Sequence, residues 1–148
     1  MVVHNEREAL CVAVEMEHRA IRIYERALLL AADDSVRSGI EGILRQEQEH
    51  LSSFMSMRER YPAGAQEEKS LVQAMGAEAL FPGGVMEMER EQGLTTLDGL
   101  YSFAAQSEQH AMETYLSFAE KCRDGKVAAA FRTIAAEEGA HLAQLRKG

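Results

Sequence analysis

Several common features are scarce in this sequence of 148 residues, and each absence narrows what the protein can be. It has two prolines and no tryptophan, while Ala, Glu, Leu, Met and Arg dominate, which is the composition of helices. Its two cysteines, Cys11 and Cys122, are far apart, and there is no Cys-x-x-Cys pair. We therefore expect a single all-α domain over residues 1–148, with reduced, semi-buried thiols and a cytoplasmic location.

Positive charge and long apolar runs are also lacking. The net charge is −8 and the pI is near 5.1, whereas a phosphate-binding surface needs clustered Lys and Arg. No stretch approaches the roughly twenty apolar residues of a membrane span, and residues 1–8 do not have the basic and apolar blocks of a signal peptide. We predict that neither nucleic acid nor a membrane is a partner.

The sequence contains a short motif, the Glu-x-x-His step, at two places. Glu47 precedes His50 by three residues, and Glu138 precedes His141 by three residues. Residues three apart share one face of a helix, so each step directs a carboxylate and an imidazole toward the same region. An isolated Glu-x-x-His step is more often a pair of exposed side chains on a helix surface than a pair of metal ligands. Two such steps in one chain favour metal binding.

The repetition extends over most of two segments. When residues 14–51 are compared with residues 105–142 at an offset of 91, nine of the thirty-eight positions are identical. The identical positions include a Glu, a Tyr and the Glu-x-x-His step in each segment: Glu17, Tyr24, Glu47 and His50, and Glu108, Tyr115, Glu138 and His141. This pattern indicates an internal duplication.

Three predicted caps or turn residues, Asn5, Asp33 and Thr96, divide the chain into three parts, together with an apolar periodicity that places Ile21 and Leu28 on the inward face of the first helix. They predict a helical hairpin over 5–61, a crossover over 62–95 and a second helical hairpin over 96–147. The crossover holds a predicted helix over about 66–80. Because it is longer than a loop between adjacent helices, we expect it to run along the bundle.

Each of the four predicted hairpin helices places one glutamate on its apolar face. Glu17 and Glu47 lie roughly 24 and 21 Å from the turn at Asp33, at about 1.5 Å per residue, so they reach the same level. Four buried carboxylates would repel one another, and two divalent cations would remove that cost. We predict Glu17 and Glu108 as terminal ligands, Glu47 and Glu138 as bridging ligands, and His50 and His141 as one nitrogen ligand for each metal.

The neighbouring residues allow alternatives. Tyr24 and Tyr115, two turns after the first and third glutamates, are either donors that orient the ligands or core aromatics. Other acidic and histidine residues near the key positions point off the inward face and are predicted to be solvated or salt-bridged: Glu15, Glu49, Glu137, His18 and His110.

At these residues the sequence resembles the rubrerythrin-like branch of the ferritin-like di-iron superfamily. The resemblance covers about 6–61 and 96–146, through the two Glu, Ala, Tyr series and the two Glu-x-x-His steps. It implies a four-helix bundle with a long crossover between the second and third helices, two iron ions, frequent homodimers, and reaction with peroxide or dioxygen. The same ligand types also accept manganese.

Two positions depart from the family pattern. The sequence lacks the cysteines of a rubredoxin domain, so the electron donor is expected to be a separate protein. Ala111 stands one turn after Glu108, where rubrerythrins tend to carry an extra carboxylate. The leading hypothesis is a di-iron peroxide or dioxygen reductase. The alternatives are an iron-oxidising storage or delivery protein, and a structural or partner-binding bundle held together by its metals.

Overall fold

The computed structural model describes residues 2–78 and 96–147, and all regular structure in these ranges is helical. The helices are α1 (Glu6–Leu30), α2 (Asp34–Arg58), α3 (Ala65–Glu78), α4 (Leu97–Lys121) and α5 (Gly125–Lys147). The all-α prediction is therefore confirmed over the described ranges. Within them, no helix has both the length and the apolar character needed to cross a membrane.

The two helical hairpins, α1–α2 and α4–α5, are built in the same way. The link between their helices contains three residues in each case. The Asp33 carboxylate accepts a hydrogen bond from the backbone N–H of Ser35 at 2.8 Å, and the Asp124 carboxylate accepts one from that of Lys126 at 2.9 Å. Each aspartate thus satisfies a free N–H group at the start of the second helix of its hairpin.

Helix α1 lies at the centre of the contacts, since it packs against α2, α3 and α4, and α4 in turn packs against α5. Burial largely follows the predicted apolar faces, and α1 shows a clear local difference. Ile21 and Leu28 were predicted to face the core but are only partly buried, while Ile23 and Ala27 are 3% and 1% exposed. The packing of α1 between several helices decides which apolar residues turn fully inward.

The short helix α3 covers α1. Its Glu67 carboxylate accepts a hydrogen bond from Arg7 at 2.7 Å, and Met75 is completely buried. The helix predicted over about 66–80 is thus present, beginning at Ala65. The rest of the predicted crossover, residues 79–95, lies outside the described residues, so the domain division stays a prediction.

Candidate metal centre

Six polar side chains from four helices meet near the middle of those helices. Each is at most 3% exposed. They are Glu17 on α1, Glu47 and His50 on α2, Glu108 on α4, and Glu138 and His141 on α5. These are the six residues predicted as metal ligands, and the structure brings all of them together.

The six side chains form two overlapping groups that could each hold a metal ion. In each group the possible ligand atoms lie within 4.8 Å of one another. Glu47 and Glu138 belong to both groups. The first group is completed by Glu17 and His50, and the second by Glu108 and His141. The two shared carboxylates are the pair predicted to bridge.

The two histidines turn the same ring nitrogen toward the carboxylates. His50 Nδ1 lies 3.0 Å from Glu138 Oε1, and His141 Nδ1 lies 3.0 Å from Glu47 Oε1. Despite these short distances, neither Nδ1 atom has hydrogen-bond geometry with a partner in the described residues. Each Nδ1 atom therefore lies close to a carboxylate oxygen without forming a hydrogen bond to it.

The acceptors beside the opposite ring nitrogens indicate which tautomer each ring adopts in its neutral form. His50 Nε2 lies 2.8 Å from Glu137 Oε2, and His141 Nε2 is bonded to Gln46 Oε1. Because these oxygens accept, each Nε2 donates its proton and each Nδ1 is left with a lone pair. Burial also lowers the pKa of His50, which favours the neutral ring. A lone pair facing an ionised carboxylate is repulsive unless a metal cation or a proton lies between them.

The carboxylates are equally poorly satisfied without cations. Burial, followed by the charge of Glu47, raises the pKa of Glu17 well above its usual range. Burial and the charge of Glu108 raise the pKa of Glu47 to about 8, and the same two causes raise that of Glu138 well above its usual range. A neighbouring divalent cation would favour the ionised forms.

Every one of the six side chains has at least one buried polar atom with no hydrogen-bond partner in the described part of the chain. Unpaired oxygen and imidazole nitrogen atoms that converge on two positions are the donors that first-row divalent metals bind. The residues present therefore fit a pair of such cations. The donor types do not distinguish iron from manganese.

Tyr24 and Tyr115 each reach across to the other hairpin. The Tyr24 hydroxyl donates to Glu108 Oε1 at 2.6 Å, and the Tyr115 hydroxyl donates to Glu17 Oε1 at 2.9 Å. Burial raises the pKa of both tyrosines well above the usual range, so their protons stay on the hydroxyls. The tyrosines are buried core aromatics and also donors to the predicted terminal ligands.

A cavity of about 10 Å³ lies beside the cluster, between α1 and α4. Its lining includes all four glutamates and both tyrosines, but neither histidine. A space of this size holds about one water-sized molecule. Ser107 also lines it, and the Ser107 hydroxyl is buried without a hydrogen-bond partner in the described residues. The cavity thus opens toward the carboxylate side of the centre.

Two residues contact the histidines in a way that the sequence did not predict. Glu137 was predicted to be solvated or salt-bridged; its side chain is 39% exposed and pairs with His50. Gln46 was not singled out. Both residues immediately precede a shared glutamate and match each other at the offset of 91. This equivalent placement beside the predicted ligands is the sequence feature that could have identified Gln46 and Glu137.

No family model, curated protein or solved structure matches this chain. The interpretation of the centre therefore depends on the chemistry of its own residues.

Proposed function

We propose that the six-residue cluster binds two iron ions and that the protein reduces hydrogen peroxide or dioxygen there. The observation that carries this proposal is the convergence of unpaired carboxylate and imidazole atoms on two positions beside a small cavity. When bound, a reduced iron pair supplies the two electrons that, with two protons, convert hydrogen peroxide to two water molecules. The resemblance to rubrerythrins supports the same chemistry.

The surrounding residues provide what such a reaction needs from the protein. The cavity holds about one water-sized molecule, which favours a small oxidant over a larger peroxide. Tyr24 and Tyr115 hold their protons and orient the carboxylates of Glu108 and Glu17. The burial of the whole cluster keeps bulk water away from a reactive centre.

Contacts at one end of the bundle support the ferritin-like chain path. The backbone N–H of Arg123 donates to Glu6 at 2.9 Å, and the Tyr61 hydroxyl donates to Asp124 at 2.5 Å. The start of α1, the end of α2 and the α4–α5 link therefore lie at the same end. Helix α4 begins about 37 Å away from this end, at 1.5 Å per residue. This separation supports the proposal of a long crossover between the second and third bundle helices.

The test is to load the metal-free protein with ferrous iron under anaerobic conditions and to mix it separately with hydrogen peroxide and with dioxygen. We expect two irons per chain and rapid oxidation by one or both oxidants. A double variant, Glu47→Gln with Glu138→Gln, should retain neither the iron nor the reaction, because both shared carboxylates are lost.

Three other outcomes would contradict the proposal. Many irons per chain in a large assembly would favour iron storage or delivery. Two irons that stabilise the fold but react with neither oxidant would favour a structural role. An absence of bound metal would remove the centre altogether. A separate electron-donor protein and a homodimer remain predictions, to be checked by turnover with candidate donors and by mass measurement.

A further inference from the structure

The two halves of the centre are matched in their predicted ligands but not in the groups that hold the histidines. His50 donates to the carboxylate of Glu137, whereas His141 donates to the amide oxygen of Gln46. The two acceptors occupy equivalent positions at the offset of 91. Each comes from the other hairpin, since Glu137 lies on α5 and Gln46 on α2.

This difference changes the ligand strength of the two imidazoles. A carboxylate that accepts the Nε2 proton pulls it more strongly than an amide does, and this makes the opposite nitrogen a stronger donor to a metal. Glu137 also brings a negative charge near the first group, and Gln46 brings none near the second. The four glutamates do not counteract this difference, because each group contains one unshared glutamate and the same two shared ones.

We propose that the two metal positions are inequivalent and fill in order, the position of Glu17 and His50 first, because Glu137 rather than an amide holds His50. The inference depends on the proposed metal centre but not on the reaction that occurs there. Glu137 and Gln46 are positioning residues, since they act through the histidines. Partners of this kind alter metal affinity by about 10- to 100-fold, and we expect a difference of that order between the two positions.

The experiment measures cobalt(II) binding by calorimetry and by visible absorption in variants that keep one position each. His141→Ala retains the group of Glu17 and His50, and His50→Ala retains the other group. We expect His141→Ala to bind its cobalt about 10- to 100-fold more tightly than His50→Ala. Adding Glu137→Gln should remove most of this advantage in the first variant and change the affinity of the second much less, because only the first retains the hydrogen bond from His50.

The reciprocal exchange provides the matched control. Gln46→Glu should strengthen cobalt binding in His50→Ala, and the double exchange Gln46→Glu with Glu137→Gln should reverse the order of filling. Circular dichroism shows whether each variant remains helical, and these exchanges preserve side-chain size at partly exposed positions.

The possible failures are distinguishable. Two cobalt ions bound with equal affinity by the unmodified protein would overturn the inference and leave the metal centre standing. An equal effect of Glu137→Gln in both single-position variants would also overturn it, since that would indicate only a general charge effect. No cobalt binding by the unmodified protein would overturn the inference and the proposed function together.

Discussion

The hairpins α1–α2 and α4–α5 are alike where they supply ligands and different beside them. Both place a glutamate and a tyrosine on the first helix and a Glu-x-x-His step on the second, after an aspartate-capped turn. The residues adjacent to these positions have diverged: Gln46 corresponds to Glu137, and Met16 corresponds to Ser107. A duplicated ligand set can therefore hold two metals in different chemical environments.

The packing around the tyrosines has diverged as well. The ring of Tyr115 lies 5.3 Å from that of Phe54, 6.4 Å from that of Phe118 and 5.6 Å from that of Phe131. Within the described residues, Tyr24 has no comparable ring contact. The positions that correspond to these phenylalanines hold Leu145, Ala27 and Ile40. Three aromatic rings thus lie close to Tyr115, whereas the corresponding positions of the repeat hold smaller aliphatic side chains.

The largest expected effect is the loss of bound metal when a glutamate common to both ligand groups is replaced. Glu47 belongs to both ligand groups and Glu17 to one, so Glu47→Ala should abolish binding of both cations, whereas Glu17→Ala should retain one. Metal analysis after loading with cobalt(II) measures this directly. Glu49→Ala, at an exposed position on the same helix as Glu47, is the control and should leave the metal content unchanged. Equal losses in the Glu17 and Glu47 variants would contradict the shared role.

A second large effect concerns the charge that both hairpins bring to the core. The pKa of Glu47 is about 8 in the folded metal-free protein, against an ordinary value of 4.5, so the folded state holds more protons than the unfolded state between these values. The contribution of Glu47 to the free energy of unfolding of the metal-free protein should therefore be most favourable below about pH 4.5. It should fall by on the order of a few kcal/mol as the pH rises through about 8.

Urea unfolding at about pH 5 and about pH 8 tests this dependence, with a chelator and with saturating cobalt(II). Bound cations should remove the loss, because they favour ionised carboxylates. A metal-free protein that becomes more stable over this range would show that the carboxylates are not protonated in the folded state.

A moderate effect is expected when the two tyrosines are replaced, and the loss of stability should differ between them. Tyr24→Leu and Tyr115→Leu both remove one hydroxyl that donates to a buried carboxylate. Only the second also removes contacts with three aromatic rings, so it should cost about 1–3 kcal/mol more in the free energy of unfolding. Thermal or denaturant unfolding gives the comparison.

The phenylalanine variants isolate the hydroxyl. Tyr24→Phe and Tyr115→Phe should each cost about 1–3 kcal/mol, and by similar amounts, because each leaves one carboxylate oxygen unpaired. If the free energies of unfolding of the two leucine variants differed no more than those of the two phenylalanine variants, the ring contacts of Tyr115 would not contribute to stability.

The smallest effect concerns Ser107, whose unpaired hydroxyl lines the cavity where Met16 is its counterpart. A hydroxyl there can donate a hydrogen bond to a bound oxidant, so Ser107→Ala should slow the reaction of the iron-loaded protein with hydrogen peroxide about 3- to 10-fold. Stopped-flow absorbance gives the rate, and metal analysis should show an unchanged iron content. Ser117→Ala, at an exposed position on the same helix, should react normally; equal rates in both variants would remove the role of Ser107.

Much of the local structure could be predicted because it depends on short-range rules. Asn5, Asp33 and Thr96 were predicted as caps or turn residues, and their side chains accept hydrogen bonds from backbone N–H groups one turn into α1, α2 and α4. The helix rise also placed Glu17 and Glu47 at the same level, as the structure does. By contrast, Ile21 was expected in the core and Ile23 occupies it, because neighbouring helices select among adjacent apolar residues.

The sequence alone determined which residues form helices, where those helices begin, and that six side chains able to bind metal lie on their inward faces. Capping and the helical repeat act over a few residues, and a duplicated series repeats them faithfully. Only the tertiary structure decided that Tyr24 reaches Glu108, that Glu137 holds His50 and that a small cavity lies on the carboxylate side. These features depend on which faces of separate helices meet and on distances across the bundle, which the periodicity within one helix does not specify.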